Sequence, residues 1–136
     1  MSESGGVGAR LEREAEGLLY TSESDRPFEA FELAGGGAGW PYGVEEFARR
    51  IGAAAGAPLE ERTLTRFFAP HIENTDPADT QSQALRPRYE ALRARLASTL
   101  REVRVFRLGR IEIDCYAVGE DGAGNLAGLH TVAVET

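Results

Sequence analysis

Hydrophobic side chains recur three or four residues apart, the spacing of one helix face, in three stretches of the chain. They are Leu11, Ala15, Leu18 and Leu19; Val44, Phe47 and Ile51; and Tyr89, Leu92, Leu96 and Leu100. This pattern predicts a first helix that ends between Gly17 and Tyr20, a second that ends at Gly56, and a third over residues 87–101.

In the last third of the chain, apolar residues recur at every second position, as in Val103 and Val105 or Ile111, Ile113 and Cys115, which is typical of strands. Alternation over residues 103–108, 111–118 and 129–134 predicts three consecutive strands. Gly109-Arg110 forms a tight turn between the first two, and residues 119–124 form the second turn. Short links between consecutive strands predict an antiparallel meander.

The first two thirds of the chain contain weaker strand signals separated by turn-forming residues. A strand is expected at Phe28–Leu33 and a short one within Leu59–Phe68. Polar or glycine-rich composition predicts loops at Thr21–Pro27, Gly35–Gly39 and His71–Gln83. Helices alternating with an early strand and followed by a meander predict an α+β fold with helices packed on a sheet.

The length of 136 residues suits one domain, and 42% hydrophobic with 27% charged residues is an ordinary globular balance. Residues 1–7 are expected to be a flexible tail and residues 8–136 a single domain. The sequence contains no apolar run of membrane-spanning length and no signal peptide, so a cytoplasmic protein is expected.

Charge is distributed unevenly along the chain. The formal net charge is −7, with 22 acids, 15 arginines and no lysine, yet residues 82–110 carry eight arginines and only two glutamates. A net acidic protein is poorly suited to general nucleic-acid binding and better suited to a basic partner. Arg86, Arg88, Arg93 and Arg95 could still form a phosphate-binding stripe on the third helix, which keeps nucleic-acid binding as an alternative.

Candidate catalytic residues are few. His71 is expected to be an exposed loop residue and His130 to be structural, and neither has a second metal ligand at suitable spacing. Cys115, the single cysteine, alternates with isoleucines and is expected to be buried and unreactive. The residues therefore predict a protein that is not an enzyme and needs no metal or other cofactor of its own.

Three blocks of the sequence resemble the nuclease A inhibitor family. The blocks are residues 17–29, which contain Tyr-Thr-Ser-Glu-Ser; residues 105–116, which contain Arg-Leu-Gly-Arg-Ile-Glu-Ile-Asp; and residues 124–136, which open with Gly-Asn-Leu-Ala-Gly and close with Val-Glu-Thr. The blocks occur in the family's order, so the resemblance covers nearly the whole chain, although residues 34–85 match poorly.

The resemblance implies a three-layer α/β/α sandwich with a mostly antiparallel central sheet. It also implies inhibition of a non-specific DNA/RNA endonuclease of the ββα-metal type, which cleaves with one bound Mg²⁺. By this resemblance Thr136 would reach the metal of the partner nuclease and Glu23 would engage an arginine of its active site. The inhibitor itself would hold no metal and would bind neither nucleic acid nor a membrane.

The expected partner-binding residues lie in a loop, in the chain's last two residues and in the long middle loop. They are Ser22, Glu23, Ser24, Asp79, Thr80, Glu135 and Thr136. The resemblance implies an aromatic anchor after the aspartate of the middle loop, but here Thr80 follows Asp79. That departure keeps open a second hypothesis, a diverged interaction module of the same fold with a different partner. Trp40, the only tryptophan, could be a substitute anchor or cover the core.

Overall fold

A computed structural model describes residues 6–136 as four α-helices, seven strands and one short 3₁₀ helix. In chain order they are α1 (Val7–Glu14), β1 (Leu19–Thr21), β2 (Asp25–Pro27), β3 (Glu29–Leu33), α2 (Val44–Ile51), β4 (Leu59–Arg62), α3 (Leu64–Phe68), the 3₁₀ helix (Ala69–His71), α4 (Thr80–Thr99), β5 (Arg101–Leu108), β6 (Glu112–Glu120) and β7 (Leu126–Val134).

Five of the strands form one sheet in the order β3-β7-β6-β5-β4, and each neighbouring pair is antiparallel. The predicted meander is confirmed, since β5, β6 and β7 pair in sequence. The predicted early strand is confirmed as β3, which pairs with β7 at one edge of the sheet. Strands β1 and β2 form a separate two-stranded hairpin.

Helices cover both faces of the five-stranded sheet, so the three-layer α/β/α arrangement is confirmed. Leu11 of α1, Phe67 of α3 and Leu92 of α4 pack with the inward residues of one sheet face. Phe47 of α2 packs on the opposite face against Phe106. Strand alternation separates the two cores, because successive side chains of a strand point to opposite faces.

The first helix is shorter than its hydrophobic spacing predicts, because α1 ends at Glu14. Gly17 has a φ of +84°, a left-handed conformation that redirects the chain away from the helix axis. The guanidinium of Arg88 on α4 donates to the carbonyls of Glu14 and Glu16 and so caps the helix end. Leu18 and Leu19 therefore lie outside the helix, and Leu19 begins β1.

The predicted loop at Thr21–Pro27 is wrong for most of its length. Its two ends pair as strands, with Tyr20 opposite Arg26 and Thr21 opposite Asp25, and only residues 22–24 form the turn. A two-stranded hairpin is marginal by itself. Burial of Tyr20 in the core, which a polar local sequence does not reveal, explains why it is stable here.

Two other helix boundaries differ from the prediction. Helix α2 ends at Ile51, where Gly52 is left-handed, and not at Gly56, and α4 begins within the predicted loop His71–Gln83. Helix α4 begins at Thr80 because the carboxylate of Asp79 accepts from the backbone N–H groups of Gln81 and Ser82, and Pro87 lies inside the helix. The segment expected to be one short strand divides into β4 and α3. Residues 1–5 of the predicted tail lie outside the described residues, and α1 begins at Val7. No helix within residues 6–136 combines the length and apolar character needed to cross a membrane.

Candidate partner-binding site

The β1–β2 hairpin is held against the body of the protein by aromatic side chains. The ring of Tyr20 stacks on Phe67 with centroids 4.5 Å apart, and its hydroxyl donates to the Phe67 carbonyl at 3.2 Å. The hydroxyl of Tyr89 on α4 donates to the carbonyl of Leu19. His71 accepts the N–H of Thr21 through Nε2 at 3.3 Å. These contacts fix the hairpin and therefore the position of its turn.

The turn of the hairpin, residues 22–24, joins the end of β7. The N–H of Val134 donates to the Ser22 hydroxyl oxygen at 2.9 Å, and the N–H of Glu23 donates to the Val134 carbonyl at 3.1 Å. Inside the turn, Ser22 donates to the carbonyl of Ser24. The hydroxyl oxygen of Ser24 is buried and has no hydrogen-bond partner among residues 6–136. The turn and the strand end thus form one rigid unit.

Glu23 and Thr136, which lie 113 positions apart in sequence, are in direct contact. The N–H of Thr136 donates to Oε2 of Glu23 at 2.9 Å, and the Thr136 hydroxyl donates to Oε1 at 2.7 Å. Both side chains are exposed to solvent. We call this pair the Glu23–Thr136 clasp.

The hydrogen bonds of the clasp favour the ionised form of Glu23. The pKa of the Glu23 carboxyl is below its usual value. The larger cause is the hydrogen bond from the N–H of Thr136, and the smaller is the one from the Thr136 hydroxyl. The carboxylate is therefore anionic at neutral pH. The Thr136 hydroxyl uses its hydrogen in the bond to Glu23, so the lone pairs of its oxygen remain available to a cation.

Glu135, which is expected to contact the partner, also makes contacts within the protein. Its carboxylate points to Arg107 of β5, whose Nη2 donates to it at 2.8 Å. Its backbone N–H donates to the carbonyl of Ile111 at 3.0 Å. In the sequence, Arg107 alternates onto the same strand face as Val103 and Val105, which indicates its burial, but an arginine in a strand does not by itself predict an interior ion pair.

Asp79 and Thr80 do not join the clasp. Asp79 lies across a groove of about 330 Å³ from Thr21 and Asp25 of the hairpin, and its carboxylate caps α4. Hydrogen bonds from Ser82 keep the pKa of Asp79 below its usual value, and the bond from the Ser82 hydroxyl has the larger effect. Thr80 is the exposed first residue of α4.

The two histidines, the cysteine and the tryptophan singled out in the sequence all make packing or polar contacts within the protein. His71 is buried, which corrects the expectation of an exposed loop residue; its ring stacks on Tyr89 with centroids 4.3 Å apart. His130 lies in β7 within 2.8 Å of Asp114. Cys115 is buried as expected, and burial raises the pKa of its thiol to about 11. Trp40 covers Phe106 and donates to the carbonyl of Arg101, as a core-covering residue does.

The arginine stripe of α4 is tied to the protein itself. Arg86 faces Glu90, Arg88 donates to the carbonyls of Glu14 and Glu16, Arg93 pairs with Glu73, and Arg95 pairs with Glu14. The contacts of Arg88, Arg93 and Arg95 dock α4 on α1 and on the segments that follow α1 and precede α4, which weakens the nucleic-acid hypothesis. Within residues 6–136, no group of three or more His, Cys, Asp or Glu side chains is arranged to hold a metal ion.

Comparison with known proteins identifies the family. No curated protein matches the chain at a significant level. A family model described as nuclease A inhibitor-like protein matches residues 6–136. Because that match covers nearly the whole chain, the protein belongs to the nuclease A inhibitor-like family, and this membership implies the role of a nuclease inhibitor with a nuclease as its protein partner.

Proposed function

We propose that this protein is a non-enzymatic, cytoplasmic inhibitor of a non-specific Mg²⁺-dependent DNA/RNA endonuclease of the ββα-metal type. It enters the active site, where Thr136 reaches the metal and Glu23 engages an arginine that otherwise holds substrate phosphate. The observation that carries the proposal is the Glu23–Thr136 clasp, because it places both groups at one exposed point of a rigid unit.

The chemistry of Mg²⁺ supports the role of Thr136. Mg²⁺ requires oxygen ligands in near-octahedral geometry and keeps exchangeable waters in protein sites. The Thr136 hydroxyl donates its proton to the anionic Glu23, so its oxygen presents lone pairs and gains negative character. Such an oxygen is suited to replace one metal-bound water.

The chemistry of arginine supports the role of Glu23. Each carboxylate oxygen has two lone pairs, and the clasp occupies one on each oxygen. The remaining lone pairs can accept two parallel N–H bonds from a guanidinium, as a phosphate does. The net charge of −7 would also steer the inhibitor toward a basic nuclease groove. A stable complex needs roughly 1,000 Å² of buried surface, so the clasp would be the centre of a larger contact.

The test is a titration of the purified protein into a Mg²⁺-dependent ββα-metal endonuclease, with cleavage of plasmid DNA as the readout. Thr136→Val removes the hydroxyl but keeps the shape of the side chain, whereas Thr136→Ser keeps the hydroxyl. We expect the valine variant and Glu23→Gln to weaken inhibition by roughly tenfold or more, because each loses a charge-assisted contact. Thr136→Ser should inhibit like the unmodified protein.

Glu45→Gln is the matched control for loss of one acidic charge, since Glu45 is exposed on α2 at the opposite face of the sheet. If Glu45→Gln weakened inhibition as much as Glu23→Gln, the loss of one negative charge would explain both results and contradict the proposed mechanism. Full inhibition by Thr136→Val would exclude the metal contact.

The second hypothesis is an interaction module of the same fold with a different partner. The observation in its favour is that residues 72–79 contain no aromatic side chain and Thr80 begins α4, so the middle loop offers no aromatic anchor. Anchors of this type carry a large share of the energy in many interfaces. Absence of inhibition by the unmodified protein at micromolar concentration would favour this second hypothesis.

A further inference from the structure

Arg107 is a charged side chain in the interior of the protein. It is 3% exposed and lies on the sheet face that packs against α1, α3 and α4, beside Cys115. A guanidinium remains charged at any physiological pH, so its burial requires acidic or hydrogen-bonding partners.

Two carboxylates from different parts of the chain meet this requirement. Nε of Arg107 donates to Glu60 of β4 at 3.0 Å, and Nη2 donates to Glu135 at 2.8 Å. The two acidic side chains are themselves 43% and 47% exposed. Arg107 is therefore the fixed member of the group, and the acids lie at its solvent side.

Glu135 connects this buried charge to the clasp. Residues beyond the last pair of a strand fray unless other contacts hold them, and both Glu135 and Thr136 follow the end of β7. Glu135 is held on one side by Arg107 and by the carbonyl of Ile111, and Thr136 is held on the other side by Glu23. Successive residues of an extended chain point in opposite directions, so the Glu135 side chain faces Arg107 and the Thr136 side chain faces away from it.

We propose that Arg107 is a positioning residue, which holds Glu135 and thereby presents Thr136 in the orientation that the partner nuclease requires. This inference rests on the proposed function for its inhibitory consequence. Its structural part, the ordering of Thr136 in the free protein, can be measured without any nuclease. Glu60 neutralises the same guanidinium, and its hydrogen bonds go to Arg62 and Arg107 and not to residues 135 and 136. Glu60 therefore stabilises the charge of Arg107 without positioning Thr136.

The experiment compares Arg107→Met, Glu135→Ala and Glu60→Ala. Methionine fills a similar volume, and the two acids it leaves behind are exposed enough to be hydrated, so Arg107→Met should fold. The first readout is the ¹⁵N order parameter of the Thr136 amide in the free protein. We expect about 0.85 in the unmodified protein and in Glu60→Ala, and a value below about 0.6 in the other two variants.

The second readout is inhibition of the endonuclease. Arg107→Met and Glu135→Ala should each weaken inhibition by about tenfold, while Glu60→Ala should stay within about threefold of the unmodified protein. A general loss of stability would affect Glu60→Ala as well, so the contrast isolates positioning from stability.

Two results would overturn the inference. An ordered Thr136 in Arg107→Met would show that the arginine does not position it. Weaker inhibition by Glu135→Ala with full inhibition by Arg107→Met would mean that Glu135 contacts the nuclease directly. If the unmodified protein inhibits no endonuclease, the proposed function fails, and the order parameters still decide whether Arg107 positions Thr136.

Discussion

Acidification should destabilise this protein through His71, which supports the hairpin that carries Glu23. The Nε2 atom of His71 accepts a hydrogen bond from the N–H of Thr21, so this nitrogen carries no proton and the imidazole is neutral. Burial lowers the pKa of His71 to about 4, although the nearby carboxylate of Asp25 acts in the opposite direction. Protonation of His71 at Nε2 would set two N–H donors, those of His71 and Thr21, against each other. It would also bury a positive charge between the rings of Tyr20 and Tyr89.

The sign and size of the effect follow from proton linkage. The unfolded chain, in which the histidine pKa is about 6.5, binds the proton more readily than the folded protein does. Stability from His71 is therefore complete above pH 6.5 and is lost as the pH falls toward 4. The loss amounts to about 2 kcal/mol at pH 5 and about 3 kcal/mol below pH 4.

Urea denaturation at pH 8 and pH 5 would measure this effect against His71→Phe, which keeps an aromatic ring beside Tyr89 but cannot titrate. The variant should be less stable at pH 8, because the Thr21 N–H loses its acceptor. Between the two pH values, however, the unmodified protein should lose about 2 kcal/mol more than the variant. The same pH dependence in both proteins, or an NMR titration of the His71 ring near pH 6.5, would refute the reasoning.

Three further predictions concern the core and the residues that surround the site. Phe47→Ala should reduce the free energy of unfolding by about 3–5 kcal/mol in urea denaturation, since Phe47 is fully buried and contacts the rings of Phe106 and Tyr116. Asp79→Ala should lower the thermal midpoint, and Asp79→Asn should restore most of it, because asparagine is also a good helix cap. Cys115 should not react with a thiol reagent at pH 8 until the protein is unfolded by urea.

Local sequence determined the elements whose pattern and partners are close together in the chain. The meander was predictable because alternation and short turns specify both the strands and their pairing. Helix α2 was predictable because its apolar positions define one face, although the left-handed Gly52 ends it at Ile51 and not at the predicted Gly56. The burial of Cys115 followed from the same alternation.

Tertiary contacts decided the boundaries that were predicted incorrectly. Leu18 and Leu19 continue the helical spacing of α1, but the left-handed Gly17 and the capping by Arg88 end the helix before them. The β1–β2 hairpin has a polar sequence and depends on Tyr20 packing against Phe67, which is 47 residues away. A local pattern contains no information about contacts of this kind.

The candidate site divides in the same way. The sequence, through the family it resembles, indicated Glu23 and Thr136 as separate residues, and the chemistry of a carboxylate and a hydroxyl suggested what each could bind. Only the fold brings them into contact, because β7 ends beside the turn of the hairpin. The fold also turns Glu135 inward to Arg107 and assigns Asp79 to a helix cap. Residue type determined which chemistry was available, and the long-range packing of the sheet determined which residues could act together.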